Sequence, residues 1–213
     1  LNALDSKVGK GNYVVFLTAD HAVAENSLRM KNDKFRVDNF NSGEMGKALE
    51  KAVNEKYGEA EWFEVGRGYD LFLNHDLIKE KKVNLYEMQL FVAQEAMKFE
   101  GVYLALTGTD LVRNSYGDLM RSLVQSAYHT KESGDVKLIL DPAWQSGRAK
   151  GTGHGNAWTY DTHVPIIFYG WGVKKGTSVR KIHITDIAPT LSMLLQIRLP
   201  NGATGQPIFE AFK

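Results

Sequence analysis

The 213-residue chain contains no cysteine. This excludes disulfides, thiol catalysis and cysteine-type zinc sites, but does not fix a compartment. An excess of charge of either sign is also missing: 26 Lys+Arg stand against 25 Asp+Glu, a net charge of +1. That balance argues against a broad nucleic-acid or membrane-binding surface. No apolar run approaches the roughly 18 residues that a membrane-spanning helix needs. The first residues lack the basic and apolar regions of a signal peptide. What is present is a 43% hydrophobic composition, enough for a packed core in one large domain or in a domain with a sizeable insertion. The opening "LNALDSKVGKGNYVVFL" reads as the last turns of a helix, a Gly turn and a strand, a start expected of a segment of a longer protein.

Two apolar runs look like strands buried on both faces: Tyr13 to Leu17, and "HVPIIFYG" from His163 to Gly170. The stretch between them carries its own elements. "SGEMGKALEKAVNEKYG" is predicted to be a helix ending at Gly58, and "EWFEVGRGYDLFL" a β-hairpin around Gly66 to Gly68. "NLYEMQLFVAQEAMKF" is an amphipathic helix whose Asn84 and Glu87 have capping-box spacing. "VYLALT" and "DVKLILDP" are strands, with the helix "YGDLMRSLVQSAYH" between them. Near the C-terminus, "HITDIAPTLSMLL" is read as a strand end followed by a helix with Thr185 at its N-cap. These readings give an α/β class: core segments 1–34 and 143–213 flanking an α+β insertion at 35–142.

The chemistry-bearing residues fall into two clusters. Asp20 and His21 stand where the first strand leaves the core, and ligands of such sheets bind at the carboxyl ends of strands. A carboxylate beside a neutral imidazole suits a zinc ion; the same pair could instead cap the next helix and bond a loop. In "GRAKGTGHGNAWTYDTHVP", His154 lies between Gly153 and Gly155. Glycines let a backbone approach a ligand closely, while an exposed turn with a bystander His is the simpler reading of this loop taken alone. Asp161 is placed to bond the glycine loop, His163 to pack at the strand entry, and Thr18 to support the Asp-His pair. His75, His129 and His183 read as surface or helix-end residues, and Asp110 and Asp118 as helix-capping acids.

In combination, "FLTADHAV", "GTGHGNAWTYDTHVPIIFYG" and "ITDIAPTLSMLL" resemble the C-terminal half of the alkaline phosphatase superfamily, the bacterial PafA-type enzymes in particular, relatives of the nucleotide pyrophosphatase/phosphodiesterases. The resemblance spans nearly the whole chain. It implies an alkaline-phosphatase-like layered sheet core and two zinc ions. Asp20 and His21 would serve the ion that also meets the nucleophile, and His154 the ion that activates water. It further implies a phosphothreonine intermediate, phosphomonoester hydrolysis, a small phosphate-ester substrate, and export to the periplasm or beyond. Two departures stand out: Ala22 occupies the usual Gly position after the pair, and Asn156, Ala157 and Trp158 replace the usual residues after His-Gly. The implied nucleophile and remaining ligands fall upstream, so Thr18 is not the nucleophile and no catalytic residue is expected here. The implied fragment is inactive by itself. Phosphodiesterase or nucleotide pyrophosphatase chemistry on the same core is the alternative, and a non-catalytic interaction module is a further one. An exposed sheet edge would favour self-association.

Overall fold

The computed structural model describes residues 1–66, 69–146 and 151–212. In chain order it comprises α1 (Asn2–Val8), β1 (Val14–Leu17), α2 (Ser27–Asn32), β2 (Asn39–Phe40), α3 (Ser42–Tyr57), β3 (Asp70–Leu71), α4 (His75–Glu80), α5 (Leu85–Ala96), β4 (Val102–Thr107), α6 (Gly108–Arg113), α7 (Leu119–Ala127), β5 (Val136–Leu140), β6 (Gln145–Ser146), α8 (Thr159–Thr162), β7 (Ile167–Gly170) and α9 (Ile187–Leu194). The class is α/β. The elements gather into two units, one of residues 1–20 with 164–213 and the other of residues 21–163.

The unit of residues 21–163 is built on the antiparallel sheet β3-β5-β4. Strand β5, with four of its five residues buried, is the central strand; its apolar residues are what such a position demands, and the one half-buried residue, Lys137, pairs with Asp70. Helix α3 starts at Asn41, whose side chain accepts the Glu44 N–H, and ends at Gly58. It buries Met45, Leu49 and Val53, every fourth residue and therefore one face. Helix α5 starts at Asn84, which accepts the Glu87 N–H, and buries Met88, Val92 and Ala96 on the same spacing. These faces meet Val136, Leu138 and Leu140 of β5, together with Trp62 and Trp144. The expected hairpin is present as an antiparallel approach of Phe63 to Leu73, with Glu64 N–H donating to the Phe72 carbonyl at 2.9 Å; its turn residues Arg67 and Gly68 lie outside the described residues. Asp110 and Asp118 both work at helix starts: Asp118 is the N-cap of α7, and Asp110 bonds the α6 cap Thr107.

One buried polar network ties this core together. Asp135, only 7% exposed, accepts from the Leu73 N–H at 2.9 Å, from His75 Nε2 at 2.8 Å and from Gln89 Nε2 at 2.9 Å. His75, read from sequence as a surface or helix-end residue, is at the first position of α4 and also holds this carboxylate; nothing local to either residue signals a partner so distant in the chain. A cavity of about 490 Å³ opens beside the network.

In the other unit, β1 pairs antiparallel with β7, Val14 opposite Gly170 and Leu17 opposite Ile167. Only glycine fits at 170: its φ is +112° and a Cβ would stand 2.0 Å from the Tyr13 carbonyl oxygen. Burial on both faces, expected for these strands, does not hold: Leu17 is 63% and Ile167 54% exposed. Among the described residues each strand has a single neighbour, and neither strand contains a fully buried residue. The apolar run expresses a requirement for cover that these residues do not meet. The helix-start expectation at Thr185 also changes. A 3₁₀ turn, Ile184–Asp186, precedes α9, and Asp186 closes it by accepting the His183 N–H at 2.9 Å while its second oxygen accepts the Gln206 N–H at 2.8 Å. An acid able to hold two separate segments outcompetes a local hydroxyl cap.

Removing the Asp135 carboxylate leaves the buried Leu73 N–H and Gln89 amide without their acceptor and releases half-exposed His75. Asp135→Ala is therefore expected to destabilise the chain by about 3–5 kcal/mol, measured as a fall in the urea midpoint. A surface pair gives a pH signature. The Arg180 guanidinium, bonded to Glu210 through Nε and Nη2, holds the Glu210 carboxyl at about 2, below its ordinary value. Because the folded value is depressed, the pair's contribution is complete above the unfolded carboxyl's range and is lost as pH falls through about 2. Comparing the chain with Glu210→Gln should show their melting temperatures converging over that acid range and separating near neutrality.

Candidate metal site

The two histidine motifs meet face to face. The rings of His21 and His154 stack with centroids 3.7 Å apart and planes 10° from parallel. The main chain explains why. Beyond His21, the Ala22 N–H donates to the Asp161 carbonyl at 2.8 Å and the Ala24 N–H to the Gly153 carbonyl at 2.9 Å. Asn26 caps α2 through its side-chain oxygen and gives its side-chain amide to the Gly151 carbonyl at 2.5 Å, while Gln145 donates to the Glu25 carbonyl at 3.0 Å. The strand exit is thus laid along the glycine loop and bonded to it at several points.

Asp161 occupies the centre of this arrangement. It is 2% exposed and lies in the short helix α8. Its Oδ2 accepts the Asn156 N–H at 2.7 Å, so the residue does bond the glycine loop. Its Oδ1 is buried and has no hydrogen-bond partner among the described residues. Neighbouring Tyr160 accepts the Ala143 N–H at 2.9 Å. Burial pushes the Tyr160 phenol up, the Ala143 bond opposes this, and the Asp161 charge adds to the rise.

Among the described residues the Thr18 hydroxyl meets the adjacent Ala19 carbonyl, at 3.5 Å. His163 is exposed at the C-terminal end of α8. Asp20, at the bend after β1, is exposed and belongs to the unit of residues 1–20 and 164–213. Residues 147–150 at the start of the glycine loop lie outside the described residues. The bonds through Ala22, Ala24 and Gly153 are main-chain, so side-chain chemistry could not have revealed them.

The donors suit a divalent metal of zinc type. A carbonyl can only accept, so at 2.7 Å from the Ala22 oxygen His21 Nδ1 is the donor. The ring's acceptor lone pair is then on Nε2, the tautomer of a metal-ligating imidazole oriented by a backbone carbonyl. Among the described residues no three His, Asp or Glu side chains form a group able to hold a metal. A catalytic zinc takes three protein ligands, so a complete site requires ligands beyond these.

No family model matches the chain. Curated proteins do. A protein of Myroides odoratus named calcium-transporting ATPase is 36% identical over 212 residues, 99% of this chain and 39% of its own length. Alkaline phosphatase PafA of Elizabethkingia meningoseptica is 36% identical over 98% of this chain and 38% of its own length. Alkaline phosphatase PhoV of Synechococcus elongatus is 33% identical over 100% of this chain and 38% of its own length. No helix among the described residues is long and apolar enough to cross a membrane. Among solved structures, wild-type alkaline phosphatase PafA superposes with a TM-score of 0.91 at 35% identity, covering 100% of this chain and 40% of that one. The chain spans 38–39% of the length of these curated relatives. Sequence and fold align over essentially the whole chain, which matches a part of the PafA-type enzymes of the alkaline phosphatase superfamily.

Proposed function

We propose that this chain is the part of a two-zinc phosphate-ester hydrolase that contributes Asp20, His21 and His154 as metal ligands, acting on small phosphomonoesters in the periplasm or outside the cell. The observation that carries the reading is the stacked pair His21 and His154, brought together from two distant motifs by the bonds of Ala22 and Ala24. Two zinc ions, when bound, supply Lewis-acid stabilisation of the charge on the attacking and leaving oxygens of a phosphate ester. The chain's own part is to hold two imidazoles in fixed orientation, His21 in the ligating tautomer. Asp20 is assigned from its position next to His21 in the sequence.

The nucleophilic threonine and the other ligands belong to the rest of the enzyme. With too few ligands for either ion, the isolated chain is proposed to be inactive. The 38% coverage of PafA supports this division, because about three fifths of that protein has no counterpart here.

Elemental analysis of the isolated chain, purified without chelator or histidine tag, should give well under one zinc per molecule and no turnover of 4-nitrophenyl phosphate. A chimera in which this chain replaces the matching segment of the Elizabethkingia enzyme should hydrolyse that substrate. In the chimera, His21→Ala or His154→Ala should lower kcat/KM by more than the about 10–100-fold that loss of an outer-shell partner costs. Two zinc ions on the isolated chain, lost in His21→Ala, would refute the division of the site. A folded, zinc-replete chimera indifferent to both substitutions would refute the ligand assignment.

A further inference from the structure

The structure assigns Asp161 a positioning role: one buried carboxylate residue sets the face-to-face geometry of His21 and His154. This inference rests on the metal reading only for its consequence, since the hydrogen bonds that carry it are the chain's own. Asp161 is bonded toward both histidines at once. Its carbonyl takes the N–H of Ala22, the residue after His21, at 2.8 Å. Its Oδ2 takes the N–H of Asn156, in the loop of His154, at 2.7 Å. The parallel bond from Ala24 to Gly153 fixes the other flank of that loop. Three points of attachment, all within residues 21–163, leave the two rings little freedom to slide apart.

The side chain also carries an unexplained feature. Asp161 Oδ1 is buried without a partner among the described residues, a situation that native structures rarely tolerate without a reason. An asparagine carbonyl could accept the Asn156 N–H equally well. Position comes from Oδ2 toward the loop of His154 and from the main-chain carbonyl toward His21.

The test begins with imidazole ¹H–¹³C spectra of the metal-free 213-residue chain. Stacked rings shift each other's signals, so His21 and His154 should resonate away from exposed His129. Asp161→Ala is expected to move both toward the His129 position while the signals of His75, His163 and His183 stay in place. Unmoved signals for His21 and His154 would overturn the inference; movement of all the histidines would reduce Asp161 to general support and overturn it too. Should Asp161→Ala not fold, Asp161→Asn decides. It is expected to keep the stacked signals, and their displacement in an otherwise native spectrum would overturn the assignment. In the chimera, Asp161→Ala should weaken zinc binding about 10–100-fold, with Asp161→Asn close to the parent. If the spectra respond as expected but no variant, nor the parent chimera, takes up zinc, the positioning role stands and the metal reading falls.

Discussion

Two main-chain hydrogen bonds, Ala22 to Asp161 and Ala24 to Gly153, are the constraint on which the unit of residues 21–163 depends. They join the first residues of that unit to its last loop. With the Asn26–Gly151 and Gln145–Glu25 bonds they oppose the loop-closure entropy of bringing such distant segments together. With them, α2 is docked through Asn26 and Gln145, and the two histidine motifs share one location. Main-chain bonds make little demand on the side chain at 22 and 24, and alanine serves at both.

The same unit is stiffened from within by Asp135. Its three donors come from Leu73 of the loop before α4, from His75 of α4 and from Gln89 of α5, so a single carboxylate joins three segments around the central strand. Apolar packing of α3 and α5 on β5 supplies the bulk of the stability, but packing alone is tolerant of small slides. A buried acid with each donor in place specifies one arrangement. The histidine pair is thus mounted on a unit whose interior is fixed independently of any metal.

The fold was legible where hydrophobic period and capping chemistry agree. Met45, Leu49 and Val53 announce one helix face, and Met88, Val92 and Ala96 another; Asn84, Asp118 and Gly58 mark helix ends that the structure reproduces. Burial was misread for β1 and β7 because an apolar run records which surface needs cover and not whether neighbouring residues supply it. Thr185 was misplaced as a cap because the competing acid, Asp186, is selected by its bond to Gln206, far along the chain.

By itself the sequence determined the residue types and their local setting: a carboxylate and an imidazole at the end of an apolar run, a histidine between glycines, and an acid six residues before the second strand at Ile167. These are short-range facts, set by side-chain chemistry and backbone freedom over a few residues. That His21 and His154 stack, that Asp161 bonds toward both, and that His75 holds Asp135 were decided only by the tertiary structure. Such contacts join positions far apart in the chain, and their geometry follows from how α3, α5 and the β3-β5-β4 sheet pack, which no local pattern encodes.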